Sequence, residues 1–119
     1  MNSLFYKILV IIIIFTAEGL MIFNEMKGAK LFSDSTQTFS KIFFKLAPIL
    51  ILGAIGLLIG YMIGFRSYNN IWIVSVISIT SILILEPILA YSIFHQYPTR
   101  GALIGLILGI TGFAFTLFY

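Results

Sequence analysis

Four apolar runs separated by short polar stretches make up most of the chain: residues 4–23, 42–65, 71–94 and 101–119. A helix needs about 20 residues to cross roughly 30 Å of hydrocarbon, where every backbone polar group must find a partner inside the protein. Each run therefore predicts a transmembrane helix. The connection 24–41, NEMKGAKLFSDSTQTFSK, is the one long polar stretch; within it LFSDSTQTF has apolar positions too sparse to define a short interfacial helix, and the links near RSYNN and HQYPTR are tight. Such links set consecutive helices antiparallel, which predicts an all-α membrane protein of one domain, four spans running up-down-up-down in a bundle. The first run holds an acid, Glu18, and no small-residue cleavage site follows it, so a retained span is expected rather than a signal peptide.

Composition agrees with that pattern and narrows the chemistry. The 119 residues are 61% hydrophobic and 9% charged, with a mean hydropathy of +1.13, too little polar surface for a water-soluble globule. No soluble domain is left to bind a nucleotide. There is no Cys, and His95 is the single histidine, so a metal site built on imidazoles is excluded and a nucleophile triad would be strained to assemble. No enzymatic activity, metal or cofactor is expected. The +3 net charge, without a basic cluster interleaved with aromatics, fits anionic lipid headgroups as partners and not nucleic acid. Lys27, Lys30, Lys41, Lys45 and Arg100 fall on one side of the predicted membrane, against Lys7 and Arg66 on the other. That bias favours both termini outside. Trp72, Tyr61, Tyr91 and Tyr119 suit interface anchoring or packing.

Glycines form two stripes. Gly53, Gly56, Gly60 and Gly64 line one face of the second run, and Gly101, Gly105 and Gly109, then Gly112, line the fourth. Small residues at this spacing let helix backbones approach closely, either within one subunit or, for the fourth run, across a dimer seam. Pro48 falls in the first turns of the second helix, while Pro87 is expected to loosen the third by freeing a backbone carbonyl.

The candidate chemistry lies in charges at one depth. Glu18 and Glu86 are both roughly 21–23 Å along helices predicted to be parallel, and Lys45 enters the antiparallel second helix at a similar level. An ionisable side chain inside a span costs about 2.5–3.5 kcal/mol and generally marks a pathway, a relay or a pair. Ser75, Ser78 and Glu86 share one face of the third helix, a hydroxyl track ending in a carboxylate. Glu18, Glu86, Ser75 and Ser78 are thus the candidate proton- or substrate-binding residues, although serines also bond back to carbonyls of their own helix. Lys41 and Lys45 either snorkel to the interface or bind a phosphate headgroup.

At these residues the sequence resembles a known family. AEGLM followed by MKGAKLF is similar to the first helix of small multidrug resistance transporters, and ILEPILAYSIFHQYPTRGALIGLILGITGFAFTLF looks like the end of a drug/metabolite transporter repeat. The resemblance covers span 1 and residues 85–119. It implies a bacterial inner-membrane protein that forms a homodimer, or a heterodimer with a similar small membrane protein. It also implies that Glu18 binds either a proton or a cation and so drives export; other four-span branches translocate polyprenyl-phosphate-linked sugars. Where drug exporters carry aromatic side chains on span 3, this chain has Ser75 and Ser78, and Glu86 and Lys45 are charges the multidrug pattern does not require. Three functions follow as expectations: proton-coupled export of a small polar or cationic substrate, a lipid-linked sugar flippase or flippase subunit, and a non-transporting partner or immunity protein.

Overall fold

A computed structural model describes residues 3–118, without the side chains of Thr116 and Leu117; Tyr119 lies outside the described residues. The chain is all-helical: α1 (Leu4–Phe32), α2 (Phe39–Tyr68), α3 (Ile71–Phe94) and α4 (Arg100–Phe118). Each helix opens on a side chain that accepts from a backbone N–H left free in the first turn. Ser3 Oγ accepts from Tyr6, Thr38 Oγ1 from Lys41, Asn70 Oδ1 from Trp72 and Thr99 Oγ1 from Ala102. α2 and α3 end on left-handed residues, Asn69 (φ 55°) and His95 (φ 54°), whose N–H groups reach back 2.8 Å to Phe65 and Tyr91 carbonyls.

Three helices, α1 to α3, are long and apolar enough to cross a membrane; by length and composition this is a membrane protein. α4 is apolar but shorter over its fully described stretch, Arg100–Phe115. The polar stretch 24–41, expected to be a connection, is helical at both ends. α1 runs on to Phe32 and α2 begins at Phe39, leaving only 33–38 as the turn. Glu25, Lys27 and Lys30 lower hydropathy yet are good helix formers, so the run past the apolar segment keeps its backbone pattern in a different solvent. In the turn, Asp34 Oδ1 accepts from the Thr36 N–H (3.0 Å) and hydroxyl (2.9 Å), and these bonds hold its carboxyl below the ordinary value.

Register follows from the contacts. Gly28 lies against Leu46, Gly56 against Ala17, Gly60 against Ile14 and Gly64 against Val10, so α1 and α2 are antiparallel. Glu18 meets Ser78 and Lys30 meets Ile93, so α1 and α3 are parallel. α1 touches both α2 and α3 along its length, whereas α4 touches only α3. The molecule measures 51 × 35 × 17 Å; α1, α2 and α3 touch one another, with Gly64 of α2 against Val74 of α3, and α4 continues the row beyond α3. Of the four-helix bundle expected from the sequence, α1 to α3 form the packed part, and the α4 glycine stripe is not what seats α4 on α3. A Cβ added at Gly101, Gly105 or Gly112 would meet nothing within 4 Å, and one at Gly109 only Leu83 at 3.7 Å. On α2, by contrast, Gly53, Gly56, Gly60 and Gly64 all lie under α1 side chains, and Val10, Ile14 and Val74 form a fully buried core beside them.

Two polar clamps fix the ends of α1. Tyr68 Oη donates to the Lys7 carbonyl at 2.9 Å, with Lys7 Nζ 5.6 Å above the same ring. At the other end Lys30 Nζ donates to the Ile93 carbonyl at 2.7 Å, placing a cation where the α3 dipole is negative. Lys30→Met is expected to speed amide hydrogen exchange in the last turn of α3 by roughly three- to tenfold, with α2 amides unchanged. Uniform acceleration across the protein would show instead that the contact supports the global fold.

Candidate functional site

Glu18 sits on the α1 face that meets α3 and is 8% exposed; Ser78, opposite it, is 6% exposed. Ser78 Oγ donates to Glu18 Oε1 at 2.6 Å. The adjoining residue Ala17 faces α2, where the missing side chain of Gly56 allows contact: a Cβ there would stand 3.1 Å from that of Ala17. α2 thus closes one side of this turn of α1 and α3 the other.

Among the described residues, no lysine, arginine or histidine nitrogen lies within 4.0 Å of the Glu18 carboxylate. Its described partner is a single neutral hydroxyl. Polar atoms sealed inside the protein without a partner are Asn24 Oδ1 and Ser67 Oγ. Glu18 Oε2 accepts no described hydrogen bond and is not one of them, so it keeps a small opening to its surroundings. Chemically this is a carboxyl with one oxygen positioned by a donor and the other able to take a proton or meet a cation.

The hydroxyls of α3 divide in two. Thr80, Ser81 and Ser92 donate to carbonyls four residues back in their own helix, which is how a hydroxyl is usually satisfied in an apolar medium. Ser78 instead reaches across to α1. Ser75, half-buried one turn earlier, makes no described bond to Glu18. Glu86 is exposed on another face of α3 and borders the cleft with α4. Lys41 and Lys45 are exposed on α2. The structure therefore joins Glu18 with Ser78 and leaves Ser75, Glu86, Lys41 and Lys45 apart from that pair.

Clefts of the described surface include three between or beside the helices. One of about 480 Å³ lies between the extended ends of α1 and α2, walled by Phe32, Phe39 and Phe43. Another of about 570 Å³ separates α3 from α4, and a shallow one of about 550 Å³ lies by Arg66. Glu18 borders none of them, and neither do Lys41 and Lys45. Asn24, at the first cleft, was not singled out by the sequence pattern; it is 3% exposed and donates through Nδ2 to the Leu46 carbonyl at 3.4 Å. A polar residue at the boundary of an apolar run gives no sign of whether it faces water or the next helix. No known protein family, curated protein or solved structure matches this chain.

Ser78→Ala removes the donor and leaves a buried carboxyl oxygen without a partner. A loss of about 1–3 kcal/mol in unfolding free energy in micelles is expected. Ser81→Ala, which deletes only a bond within one helix, is expected to stay within about 0.5 kcal/mol. Equal effects from the two variants would remove any special standing from the Glu18–Ser78 bond.

Proposed function

We propose that the protein is a small secondary transporter that exports a small polar or cationic substrate against protons, with Glu18 as the exchange site and Ser78 as the donor that positions it. The observation that carries this reading is the buried Glu18 carboxyl whose described partner is a neutral hydroxyl and not a cation. An acid in an apolar helix costs about 2.5–3.5 kcal/mol, and a permanent lysine partner would make it structural. Here a mobile ion can take that place. In this reading α4 is a fourth span, and its open glycine face meets a second copy or a similar small membrane protein. Lys27, Lys30, Lys41, Lys45 and Arg100 stand at one end of the row, which orients that end toward the cytoplasm of a bacterial inner membrane. The test is proton movement in proteoliposomes driven by a tetramethylammonium gradient, wild type against Glu18→Gln. Wild-type flux no greater than in protein-free liposomes, or full flux in the variant, would overturn it.

One observation favours a second reading, a non-transporting membrane partner: Glu18 borders none of the three clefts. On that reading Glu18–Ser78 is an interhelical fastener, and both proteins give only background flux. The flippase reading has less support, since Lys41 and Lys45 line none of the three clefts described above.

A further inference from the structure

We infer that the cleft between α3 and α4 is a binding site for an alkylammonium group, with Glu86 as its anionic floor. Glu86 lies eight residues before the end of α3 at Phe94, about 12 Å down the helix. The cleft, about 570 Å³, is lined there by Glu86 and, toward the loop, by Tyr91, Phe94, Gln96, Tyr97 and Thr99. Tyr91 and Tyr97 stand with ring centroids 5.2 Å apart at 45°, two faces set at an angle rather than stacked flat on each other. A carboxylate with aromatic rings above it is the donor set for an organic cation: the rings offer their negative faces, the acid supplies the full charge, and neither requires the ligand to donate hydrogen bonds.

Nothing in the described structure already satisfies this acid. No basic nitrogen lies within 4.0 Å of Glu86 among the described residues. Pro87, also on the cleft wall, has no N–H to give the Leu83 carbonyl one turn below, so a second acceptor is released from the helix ladder next to the carboxylate. Lys27, Lys30, Lys41, Lys45 and Arg100 share this end of the molecule and act against the ligand; two of them, Lys30 and Arg100, touch α3 or begin α4. Lys30 is exposed and engaged with the Ile93 carbonyl, and Arg100 is exposed at the start of α4. Neither borders the cleft, and their fields are screened by water and salt over about 10 Å. Glu86, exposed at the cleft, acts on a bound cation at contact distance, where Coulomb attraction exceeds that of screened charges farther away. The site is distinct from Glu18, which faces α1 against Ser78, and it stands whether or not Glu18 exchanges protons.

The ammonium can belong to a free cation or to a lipid amine, and binding measurements separate the two. The full chain in nanodiscs of phosphatidylglycerol, a lipid with no ammonium, is titrated by calorimetry with choline and with its neutral isostere 3,3-dimethylbutan-1-ol. Binding of the cation and at least about tenfold weaker binding of the alcohol are expected, a comparison that needs no variant. Glu86→Gln is expected to weaken the cation about tenfold or more and Tyr91→Leu several-fold, and both losses are expected again in a Glu18→Gln background, where the exchange site is removed. Repeating the titration with phosphatidylethanolamine added identifies the source: an unchanged affinity assigns the site to free cations, and a falling one shows a lipid amine competing for it. No cation binding by the wild type, equal binding of the alcohol, or an unchanged affinity in a folded Glu86→Gln protein would each overturn the inference.

Discussion

Glu18→Gln is expected to abolish cation-driven proton movement in proteoliposomes, reducing it to the rate of protein-free vesicles, while the protein still folds and inserts. The substitution is nearly isosteric. The glutamine Oε1 can still accept from Ser78 Oγ, so the bond seen at 2.6 Å survives in kind, although a neutral acceptor weakens it. What vanishes is the ability to carry a proton in one state and meet a cation in the other. Stability is expected to shift by less than about 1 kcal/mol, since no buried group is orphaned and no cavity is opened. Aspartate at the same position makes the complementary case. It keeps the acid but shortens the reach, so the distance to Ser78 grows and exchange is slowed without being lost. If glutamine at position 18 transports as well as glutamate, the acid is an ornament of packing and the transporter reading fails with it.

The second large effect is on stability and concerns Gly60. A Cβ built there stands 2.7 Å from Ile14 Cγ1 and 3.3 Å from Ile13 Cγ2. Ile14 is fully buried and β-branched, so inside a helix it has almost no other rotamer to adopt. The two helices must therefore separate. Gly60→Val is expected to cost about 3 kcal/mol or more, beyond the usual 1–3 kcal/mol of overpacking because backbone and not only side chains must move. Gly105→Val is the control, in open space on α4, and is expected to be near neutral. Thermal unfolding in the same detergent, followed by helical circular dichroism, reads both. Should Gly105→Val prove as damaging as Gly60→Val, α4 has a close partner in the assembly that the single chain does not show; should both prove neutral, the α1–α2 contact is looser than described.

These expectations show which features a single sequence carries and which it does not. The run 71–94 predicted α3 with its bounds unchanged, because Asn70 and His95 stop the helix chemically at the places where hydropathy also falls. The end of α1 was hidden for the opposite reason. Glu25, Lys27 and Lys30 change the solvent the helix prefers without changing its backbone, and a hydropathy reading registers only the first. Glu18 was visible as an acid in an apolar run, but its partner was not. The α1–α3 register runs near sixty residues, 63 for Lys30 with Ile93 and 60 for Glu18 with Ser78, and that three-residue drift along crossing helices decides between Ser78 and Ser81. Helical periodicity places Ser75 and Ser78 on one face; only the crossing chooses between them. The same limit governs Glu86. Its depth follows from counting residues, but whether it faces α1 or α4 depends on rotation about the α3 axis, and the structure turns it to the α4 side beside Tyr91 and Tyr97.

The glycine stripes carry a related lesson. Both have spacings that permit close helix contact, yet only the α2 stripe is used within the chain. The difference lies in what the other helix presents. α1 offers Val10, Ile14, Ala17 and Met21 in register with the α2 glycines, whereas the 95–99 connection brings α4 beside α3 with the cleft between them.

If Glu18 is the exchange site, its carboxyl takes up and releases a proton inside the bilayer, and infrared difference spectroscopy reads this without any assumption about substrate. In reconstituted protein, the carboxylic C=O band absent from Glu18→Gln identifies the protonated Glu18. For an exchanging Glu18 this band is expected at acid pH, is lost as the pH is raised, and returns when the pH is lowered again. A Glu18 signal that holds one protonation state throughout, in protein that remains folded, would contradict the exchange role.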